Sequence, residues 1–286
     1  MFSQRTVARE VKFSGVGLHS NKMSNIKLLP SEIDSGIIIK RVDIKDKNNV
    51  IKADFTNVSE VLYSTKLSND DGVEVSTIEH LMAAIWAMKI SNLIIEIDST
   101  EIPILDGCSQ GFIFLLESIG IVKQDKIRPT IKVTKEISIN YQDGRSIFVI
   151  PADNLIATFS LKNEFEIISN GSGYTYNDAK QSFMNDISLA RTYCHLSDVE
   201  KLQSMGLAMG GDLTNALVVD GNKVLNPEGL NYQNEFVRHK ILDLIGDIAL
   251  CKYYIAGHFI GHNSGHEMNN KLMRKIFEDE ENYVII

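Results

Sequence analysis

The sequence predicts an α+β fold whose two halves follow a similar order of elements. Alternating apolar and polar residues, the pattern of half-buried strands, dominate the first third of the chain. Strands come in hairpin-like clusters in both halves instead of alternating strictly with helices, which favours α+β over a doubly wound sheet. The polar segment 122–129 ends in proline and is the best linker candidate. We therefore expect an N-terminal domain at 1–125 and a C-terminal domain at 126–286.

In each half the sequence predicts the same order of elements: a group of strands, a helix, a further strand and a second helix. The expected strands of the first half include 37–42 and 93–98, and its helices are 77–88 and 109–119, the second of which follows an Asp-Gly pair. The second half has expected strands at 130–133, 146–150, 157–161, 215–219 and 253–260, and helices around position 239 and at 267–277.

Composition limits the class of protein. The chain has 286 residues, 44% apolar and 23% charged, which is typical of a soluble globular protein. Its net charge of −8 argues against nucleic acid as a partner. Three widely spaced cysteines without a CxxC pair favour free thiols. The polar N-terminus and the lack of an apolar run of about 20 residues argue against a signal peptide or a transmembrane segment. We expect a cytoplasmic monomer.

The most informative segment is 238–247, which places His239, Asp243 and Asp247 four residues apart in an otherwise apolar stretch. At 3.6 residues per turn these side chains share one face of a helix. Burying an imidazole and two carboxylates costs free energy, and a metal ion compensates that cost. The spacing therefore predicts a metal site on this helix.

His80 is the candidate for the third ligand. Two histidines and one carboxylate leave a fourth position open for water, and Glu79 beside His80 would be a catalytic base. A structural alternative is about equally good for Glu79, because Ser76-x-x-Glu79 is a capping box. A lone His80 in a first helical turn is also more often structural than a ligand.

Three Gly-His pairs recur at His258, His262 and His266. Three glycines in ten residues would cost a helix about 0.8–1.0 kcal/mol each, so we expect a strand that runs into a glycine-rich loop, with His258 and His262 as strand or surface histidines. His266 would then stand at the start of the next helix, where the positive helix end lowers the pKa of an imidazole. To act as a protonated acid it needs a carboxylate, and Asp247 is the one not used by the metal.

These motifs resemble those of the UDP-3-O-acyl-N-acetylglucosamine deacetylase family, zinc amidases of lipid A biosynthesis in Gram-negative bacteria. The matching segments span nearly the whole chain. They are GVGLHS at 15–20, STIEHL at 76–81, EIPILDG at 101–107, ARTY at 190–193, GLAMGG at 206–211, FVRHKILD at 236–243 and SGH at 264–266.

The resemblance implies a zinc ion bound by His80, His239 and Asp243, with iron(II) as the alternative ion in the cell. It implies that Glu79 is the general base, that His266 is the general acid oriented by Asp247, and that Thr192 and Lys240 contact the reacting group and the substrate. The implied fold has two similar two-layer α/β sandwich domains, each with a small insert, and an active site in the cleft between them.

The resemblance also implies a substrate-binding surface. Its expected residues are His19, Leu62, Ser64, Thr192, Tyr193, Asp198, Val199, Gln203, Leu207, Gly211, Leu213, Ala216, Val218 and Lys240, and those of the insert after Arg191 would line a passage for the acyl chain. Some positions depart from the family pattern: Tyr193 replaces a common phenylalanine, Ser64 a common cysteine, and Asn263 a basic residue near the diphosphate. Phe165 is the candidate for stacking on uracil, from an ambiguous local alignment. The preferred acyl-chain length stays open.

The leading hypothesis is hydrolysis of the acetamido group of a UDP-linked 3-O-acyl glucosamine to acetate and the free amine. One rival is an iron(II) oxygenase, which uses the same ligand set but has no obvious task for Glu79 and His266. The other rival is a non-catalytic sugar-nucleotide or acyl binder with a structural zinc, although such sites usually close with four protein ligands.

Overall fold

The computed structural model describes residues 2–169 and 173–286, which form twenty strands and seven α-helices. The first half contains β1 (Phe2–Val7), β2 (Val11–Val16), β3 (Met23–Pro30), β4 (Ile37–Arg41), β5 (Val50–Lys52), β6 (Val58–Glu60), β7 (Lys66–Ser68), β8 (Glu74–Val75), α1 (Glu79–Ala87), β9 (Leu93–Ile97), α2 (Gln110–Ile119) and β10 (Ile121–Arg128). A short 3₁₀ helix, Phe55–Asn57, lies between β5 and β6. No helix in these residue ranges is long and apolar enough to cross a membrane.

The second half is longer. It contains β11 (Thr130–Val133), β12 (Ile137–Asn140), β13 (Ser146–Ile150), β14 (Leu155–Ser160), α3 (Glu166–Ser169), β15 (Gly173–Asn177), α4 (Phe183–Asp186), β16 (Tyr193–His195), α5 (Leu196–Ser204), β17 (Leu217–Asp220), β18 (Lys223–Val224), α6 (Glu235–Ile248), β19 (Tyr254–His262), α7 (His266–Phe277) and β20 (Tyr283–Ile285). A 3₁₀ turn at Glu280–Asn282 precedes β20.

Two mixed sheets organise the chain. The first has the order β2-β3-β9-β4-β5, and β4 runs parallel to β9. The second has the order β12-β13-β19-β11-β20, with β14 and β15 joined to it through β19. Smaller sheets are formed by β6-β7-β8, by β16-β17-β18 and by the pair β1-β10. Mixed sheets with helices inserted among hairpins confirm the α+β prediction.

Helices α1, α2, α6 and α7 connect the two main sheets, whereas α5 contacts β16 and β17 of a small sheet. Helix α2 contacts β2 of the first sheet, α6 contacts β14 and β15 of the second, and α7 contacts β12 and β13. Helix α1 packs against both α2 and α6, so it connects the two layers of helices. In the sheets, strands such as β9 and β13 alternate buried with half-buried residues, as the sequence pattern predicts.

A single glycine allows the close approach of α1 and α6. A Cβ atom at Gly246 would lie 2.2 Å from the carbonyl oxygen of Glu79, so no side chain fits there without moving backbone. Glycine inside a helix costs about 1 kcal/mol relative to alanine. This cost is offset by the contact between the two helices, which carry the predicted metal ligands.

The linker prediction for 122–129 is wrong as a description of local structure. These residues belong mostly to β10, which pairs antiparallel with β1 through contacts such as Thr6 with Val122. The pair forms a two-stranded ribbon, so one face of β10 stays in solvent and carries polar residues. That polarity gave the segment the composition of a linker. Arg128, the last residue of β10, is buried.

Candidate active site

The three predicted ligands meet between α1 and α6. One ligand atom from each of His80, His239 and Asp243 lies within 4.8 Å of the other two, and all three side chains are buried. The Oδ1 atom of Asp243 is 3.3 Å from Nε2 of His239 and 3.8 Å from Nε2 of His80. The two imidazole rings are nearly perpendicular, with centroids 5.0 Å apart. The stripe on α6 thus supplies two of the three side chains and α1 the third.

The surroundings favour the protonation states that ligands need. Burial, together with the neighbouring His239, lowers the pKa of His80 to about 3. Burial also lowers the pKa of His239, whose Nδ1 donates to the carbonyl of Ala190 at 3.0 Å and so leaves Nε2 for a ligand. Burial opposes ionisation of Asp243, but His239 and Lys240 outweigh it and hold the pKa of this carboxyl well below its usual range. Two neutral imidazoles and a carboxylate result.

An unpaired oxygen atom in this cluster also favours the binding of a cation. Oδ1 of Asp243 is buried and has no hydrogen-bond partner in the described part of the chain. A buried carboxylate oxygen without a donor costs about 1–3 kcal/mol or more. A tetrahedral ion with nitrogen and oxygen ligands would remove that cost, and three protein ligands would leave one position open.

Glu79 does not form the capping box that its sequence allows. It is the first residue of α1, the helix has no side-chain cap at its N-terminus, and Ser76 donates instead to the carbonyl of Thr100. The capping prediction fails because Thr77, with φ of 56°, turns the chain before the helix begins. The carboxylate of Glu79 accepts from the backbone N–H of Thr65 at 3.0 Å. Burial raises its pKa to about 7, which suits a base working near neutral pH.

His266 is the first residue of α7, and its Nδ1 lies 2.9 Å from Oδ2 of Asp247. Its other nitrogen, Nε2, is 3.9 Å from Oε1 of Glu79. Burial disfavours the imidazolium, but the Asp247 carboxylate and its hydrogen bond outweigh burial and raise the pKa of His266 to about 10. Asp247 is fixed in turn by Thr65 Oγ1 at 2.6 Å and Asn269 Nδ2 at 2.8 Å.

The three candidate ligands, Glu79 and His266 face one cavity of about 120 Å³, and Asp247 lies behind His266 outside the cavity wall. The cavity is lined by Leu18, His19, Tyr63, Thr77, Glu79, His80, Ile104, Thr192, Tyr193, His239, Lys240, Asp243 and His266. Four of the predicted substrate contacts are in this wall: His19, Thr192, Tyr193 and Lys240. Lys240 Nζ donates to Oδ2 of Asp243 at 2.9 Å. Burial opposes its charge, but that carboxylate and other neighbours raise its pKa further above the usual lysine range.

The other predicted contacts lie outside this wall. They are Leu62, Ser64, Asp198, Val199, Gln203, Leu207, Gly211, Leu213, Ala216 and Val218. Most belong to the unit of α5, the following loop and β17. That loop contacts the wall directly, because the N–H groups of Met209 and Gly210 donate to the carbonyls of His19 and Leu18. Ser64 is buried next to Thr65, whereas Leu62 is 48% exposed.

The structure also places the uracil candidate Phe165, the family departure Asn263 and the histidine run. Phe165 stacks on His195 with ring centroids 3.9 Å apart, so one of its faces is covered. The side chain of Asn263 bonds both the N–H and the carbonyl of Lys162. His258 and His262 lie in β19 and pair with Thr158 and Ser160. Their prediction as strand histidines is confirmed.

Two buried carboxylates near the starts of α1 and α6 were not identified from the sequence as site residues. Glu101 accepts from the N–H groups of His19 and Ser20, both at 2.8 Å, and from Thr77 Oγ1 at 2.9 Å. Its backbone carbonyl accepts from Ser24. A glutamate between a strand and the apolar residues that follow it was the available signal, but the sequence does not reveal its partners.

Glu235 is the counterpart of Glu101 on α6. It is fully buried at the first position of the helix and accepts from the Arg191 N–H at 3.0 Å and from Nε of Arg191 at 2.9 Å. This pair fixes the segment that contains Ala190, the acceptor for His239, and Thr192 of the cavity wall. An acidic residue in a first helical turn is so common that it gives no sign of a buried partner.

Known proteins resemble this chain along its whole length. The family model "LpxC: UDP-3-O-acyl N-acetylglycosamine deacetylase" matches residues 4–278. The UDP-3-O-acyl-N-acetylglucosamine deacetylase of Actinobacillus succinogenes is 41% identical over 283 residues, covering 98% of this chain and 92% of its own. The enzymes of the same name from Hahella chejuensis and Aliarcobacter butzleri are 39% and 41% identical, covering 100% and 99% of this chain and 94% and 92% of theirs.

Proposed function

Because the chain belongs to the UDP-3-O-acyl-N-acetylglucosamine deacetylase family, a family of amide hydrolases in lipid A biosynthesis, we propose that its catalytic cavity removes the acetyl group of the UDP-linked sugar with one zinc ion. The family is metal-dependent. The ion would be held by His80, His239 and Asp243. The observation that carries the proposal is the buried cluster of these ligands with a base and an acid on the same cavity.

A bound zinc would polarise the amide carbonyl and lower the pKa of water. Glu79 would accept the proton of the attacking water, since its raised pKa keeps it a base of suitable strength near neutral pH. The backbone N–H of Thr65 holds one oxygen of this carboxylate and leaves the other directed toward His266. Attack forms the new C–O bond of acetate.

His266 would donate a proton to the departing amine nitrogen, because an amide nitrogen cannot leave as an anion at neutral pH. Its pKa of about 10 keeps the imidazole protonated until that step. Asp247 orients the ring through Nδ1 and leaves Nε2 as the donor. The amide C–N bond then breaks to give the free amine.

Lys240 and Thr192 would stabilise the negative charge that develops on the carbonyl oxygen. Lys240 is fixed by its ion pair with Asp243, so its ammonium group stands at the cavity without further reorganisation. Thr192 is held by hydrogen bonds that its backbone makes to Gly107 and Leu217. Both groups are preorganised donors, which is what such stabilisation needs.

The remaining expectations fit the same proposal. The division into domains at 1–125 and 126–286 would put Glu79 and His80 in the first domain and the other catalytic groups in the second. The unit from Asp198 to Val218 would lie along the acyl chain of the substrate, with His19, Leu62, Ser64 and Tyr193 at the entrance. Support comes from the contact of its loop with His19.

The test is deacetylation of the UDP-acyl-sugar by the zinc-loaded protein, by protein treated with chelator, and by treated protein to which zinc is returned. We expect activity to be lost with the metal and restored with zinc. Glu79→Ala and His266→Ala should each lower turnover at least 10²-fold while metal content stays near one ion per chain. Product formation without metal, or near-wild-type turnover of both variants, would contradict the proposal. Oxygen consumption would indicate the oxygenase alternative instead.

A further inference from the structure

A second cavity, of about 510 Å³, shares no residue with the catalytic cavity. It lies where α1 and α6 end, since Ile85, Trp86 and Ile90 line one side and Ala249 and Cys251 another. The catalytic cavity is lined instead by Glu79 and His80 at the start of α1 and by His239, Lys240 and Asp243 in the first and middle parts of α6. Pockets of this size bind small organic molecules, and nothing in the deacetylase mechanism uses this one.

The charged side chains of the cavity are mostly cationic. Four cations line it, Lys52, Lys126, Arg128 and Lys252, against two carboxylates, Asp34 and Asp54. Asp34 forms an ion pair with Lys126. In the described residues neither Lys52 nor Lys252 has an ion-pair partner. The cavity therefore carries two more positive than negative charges in a chain whose net charge is −8.

Arg128 is the strongest sign of a missing anion. It is 5% exposed, and its Nε and Nη2 donate to the carbonyls of Lys252 and Tyr253 at 3.3 and 3.1 Å. No carboxylate of the described residues pairs with it, although buried charges are ordinarily paired. The two helix ends offset about half a unit charge each, so about one positive charge stays uncompensated.

Hydrogen-bonding capacity points to the kind of anion. Nη1 of Arg128 makes no hydrogen bond with residues 2–169 or 173–286, since its Nε and Nη2 make the only two bonds of this side chain there. With the two lysines, several separate donors surround one space. A phosphate group offers three oxygens to such a set, whereas a carboxylate offers two.

We propose that this cavity is a binding site for a small soluble phosphate ester, with the phosphate on Arg128, Lys52 and Lys252 and the organic part against Trp86, Ile85 and Ile90. The apolar residues supply a surface for carbon atoms beside the charged wall. The proposal concerns binding alone, so it stands or falls independently of the deacetylase reaction.

Trp86 provides a direct readout, because it is the single tryptophan of the chain and lines the cavity. Its fluorescence is titrated in the zinc-loaded protein with inorganic phosphate and glycerol 3-phosphate, against acetate at equal ionic strength and phosphatidate vesicles. We expect a saturable change with both soluble phosphates and none with acetate. Arg128→Gln and Lys252→Gln should each weaken the response at least tenfold. Lys12→Gln, an exposed lysine outside the cavity, should leave it unchanged.

Several results would overturn the proposal: equal responses to acetate and phosphate, a response to vesicles only, equal weakening by Lys12→Gln, or loss of the signal in Lys240→Gln, which would assign it to the catalytic cavity. If Arg128→Gln does not fold, Lys252→Gln decides, since Lys252 is exposed and its replacement leaves the core intact. An unaltered phosphate response in Lys252→Gln would also contradict the site.

Discussion

Helices α1 and α6 both supply metal-ligand candidates, but they are held in different ways. Helix α6 has fourteen residues, and the spacing within it brings His239, Asp243 and Asp247 onto one face. Helix α1 has nine residues and an apolar surround, and its candidate catalytic residues are the first two. Their positions depend on contacts from elsewhere: Thr65 on Glu79, the left-handed turn at Thr77, and the backbone approach at Gly246.

The difference shows where precision in the site comes from. On α6 the relative positions of ligands follow from helix geometry and need little outside support. On α1 the same precision comes from groups distant in sequence, among them Thr65, which bonds Glu79, Glu101, which bonds Thr77 just before the helix, and Gly246, which lets α6 approach closely. Substitutions that leave the α6 spacing untouched but disturb the seating of α1 should therefore impair catalysis strongly.

The largest effect is expected for Gly246→Ala. The added methyl group would meet the carbonyl of Glu79 at 2.2 Å, and backbone must move. Overpacking of this kind costs about 1–3 kcal/mol of unfolding free energy, and a displacement of about 1 Å at the reacting groups costs on the order of 10²-fold in turnover. Thermal unfolding and deacetylation rates measure the two effects.

Gly111→Ala is the matched control, because Gly111 is also a helical glycine, in α2, and its added methyl would meet only the end of the Leu105 side chain at 3.0 Å. We expect its unfolding free energy to change by no more than about 1 kcal/mol and its turnover to stay near wild type. If Gly246→Ala behaved like Gly111→Ala, the seating of α1 would not depend on this contact.

The difference between α1 and α6 also explains which features could be predicted from the sequence. The α+β class, most strands and the α6 stripe follow local periodicity, and local spacing suffices for them. The position of α1 was not predictable, because Glu101, Thr65 and Gly246 act on partners that come close only in the tertiary fold. The prediction of a capping box at Glu79 and the prediction of a linker at 122–129 were both wrong for the same reason. Each relied on neighbouring residues in the sequence, whereas a partner distant in the sequence determines the structure. The metal trio was found by combining His80 with the stripe, not by either signal alone.

The second largest effect is expected for Asp247→Asn, because Asp247 is the residue of the α6 stripe that bonds residues of other elements. Asp247→Asn removes the negative charge beside His266 and puts an amide between Thr65, Asn269 and the imidazole. Because the carboxylate stabilises the imidazolium, its loss lowers the pKa of His266, and the acid form is lost at lower pH. The alkaline limb of the kcat/KM profile should move down by about 1–3 pH units, with turnover above the new pKa reduced about 10–10²-fold.

Thr65→Val separates charge from hydrogen bonding in this network. It removes the 2.6 Å contact to Asp247 but keeps the carboxylate and the backbone N–H that serves Glu79. Its alkaline limb should stay closer to wild type than that of Asp247→Asn. An unmoved limb in Asp247→Asn would mean that His266 does not set the alkaline limb, and the division of roles along the stripe would be wrong.

The smallest effects are expected for substitutions of the two buried carboxylates, Glu101 and Glu235. Glu101→Gln replaces one accepting oxygen by an amide nitrogen, which cannot accept a hydrogen bond from the N–H of His19 or Ser20. Losing one such bond costs about 1.5 kcal/mol. We therefore expect roughly a tenfold loss of kcat/KM. Glu235→Gln instead leaves Arg191 with only Glu228 as an acidic partner, so its main effect should be on the free energy of unfolding. Kinetics and thermal unfolding of both variants distinguish these outcomes. If Glu101→Gln lost stability but kept its kcat/KM, α1 would be seated without Glu101, and the contrast between the two helices would rest on Gly246 and Thr65 alone.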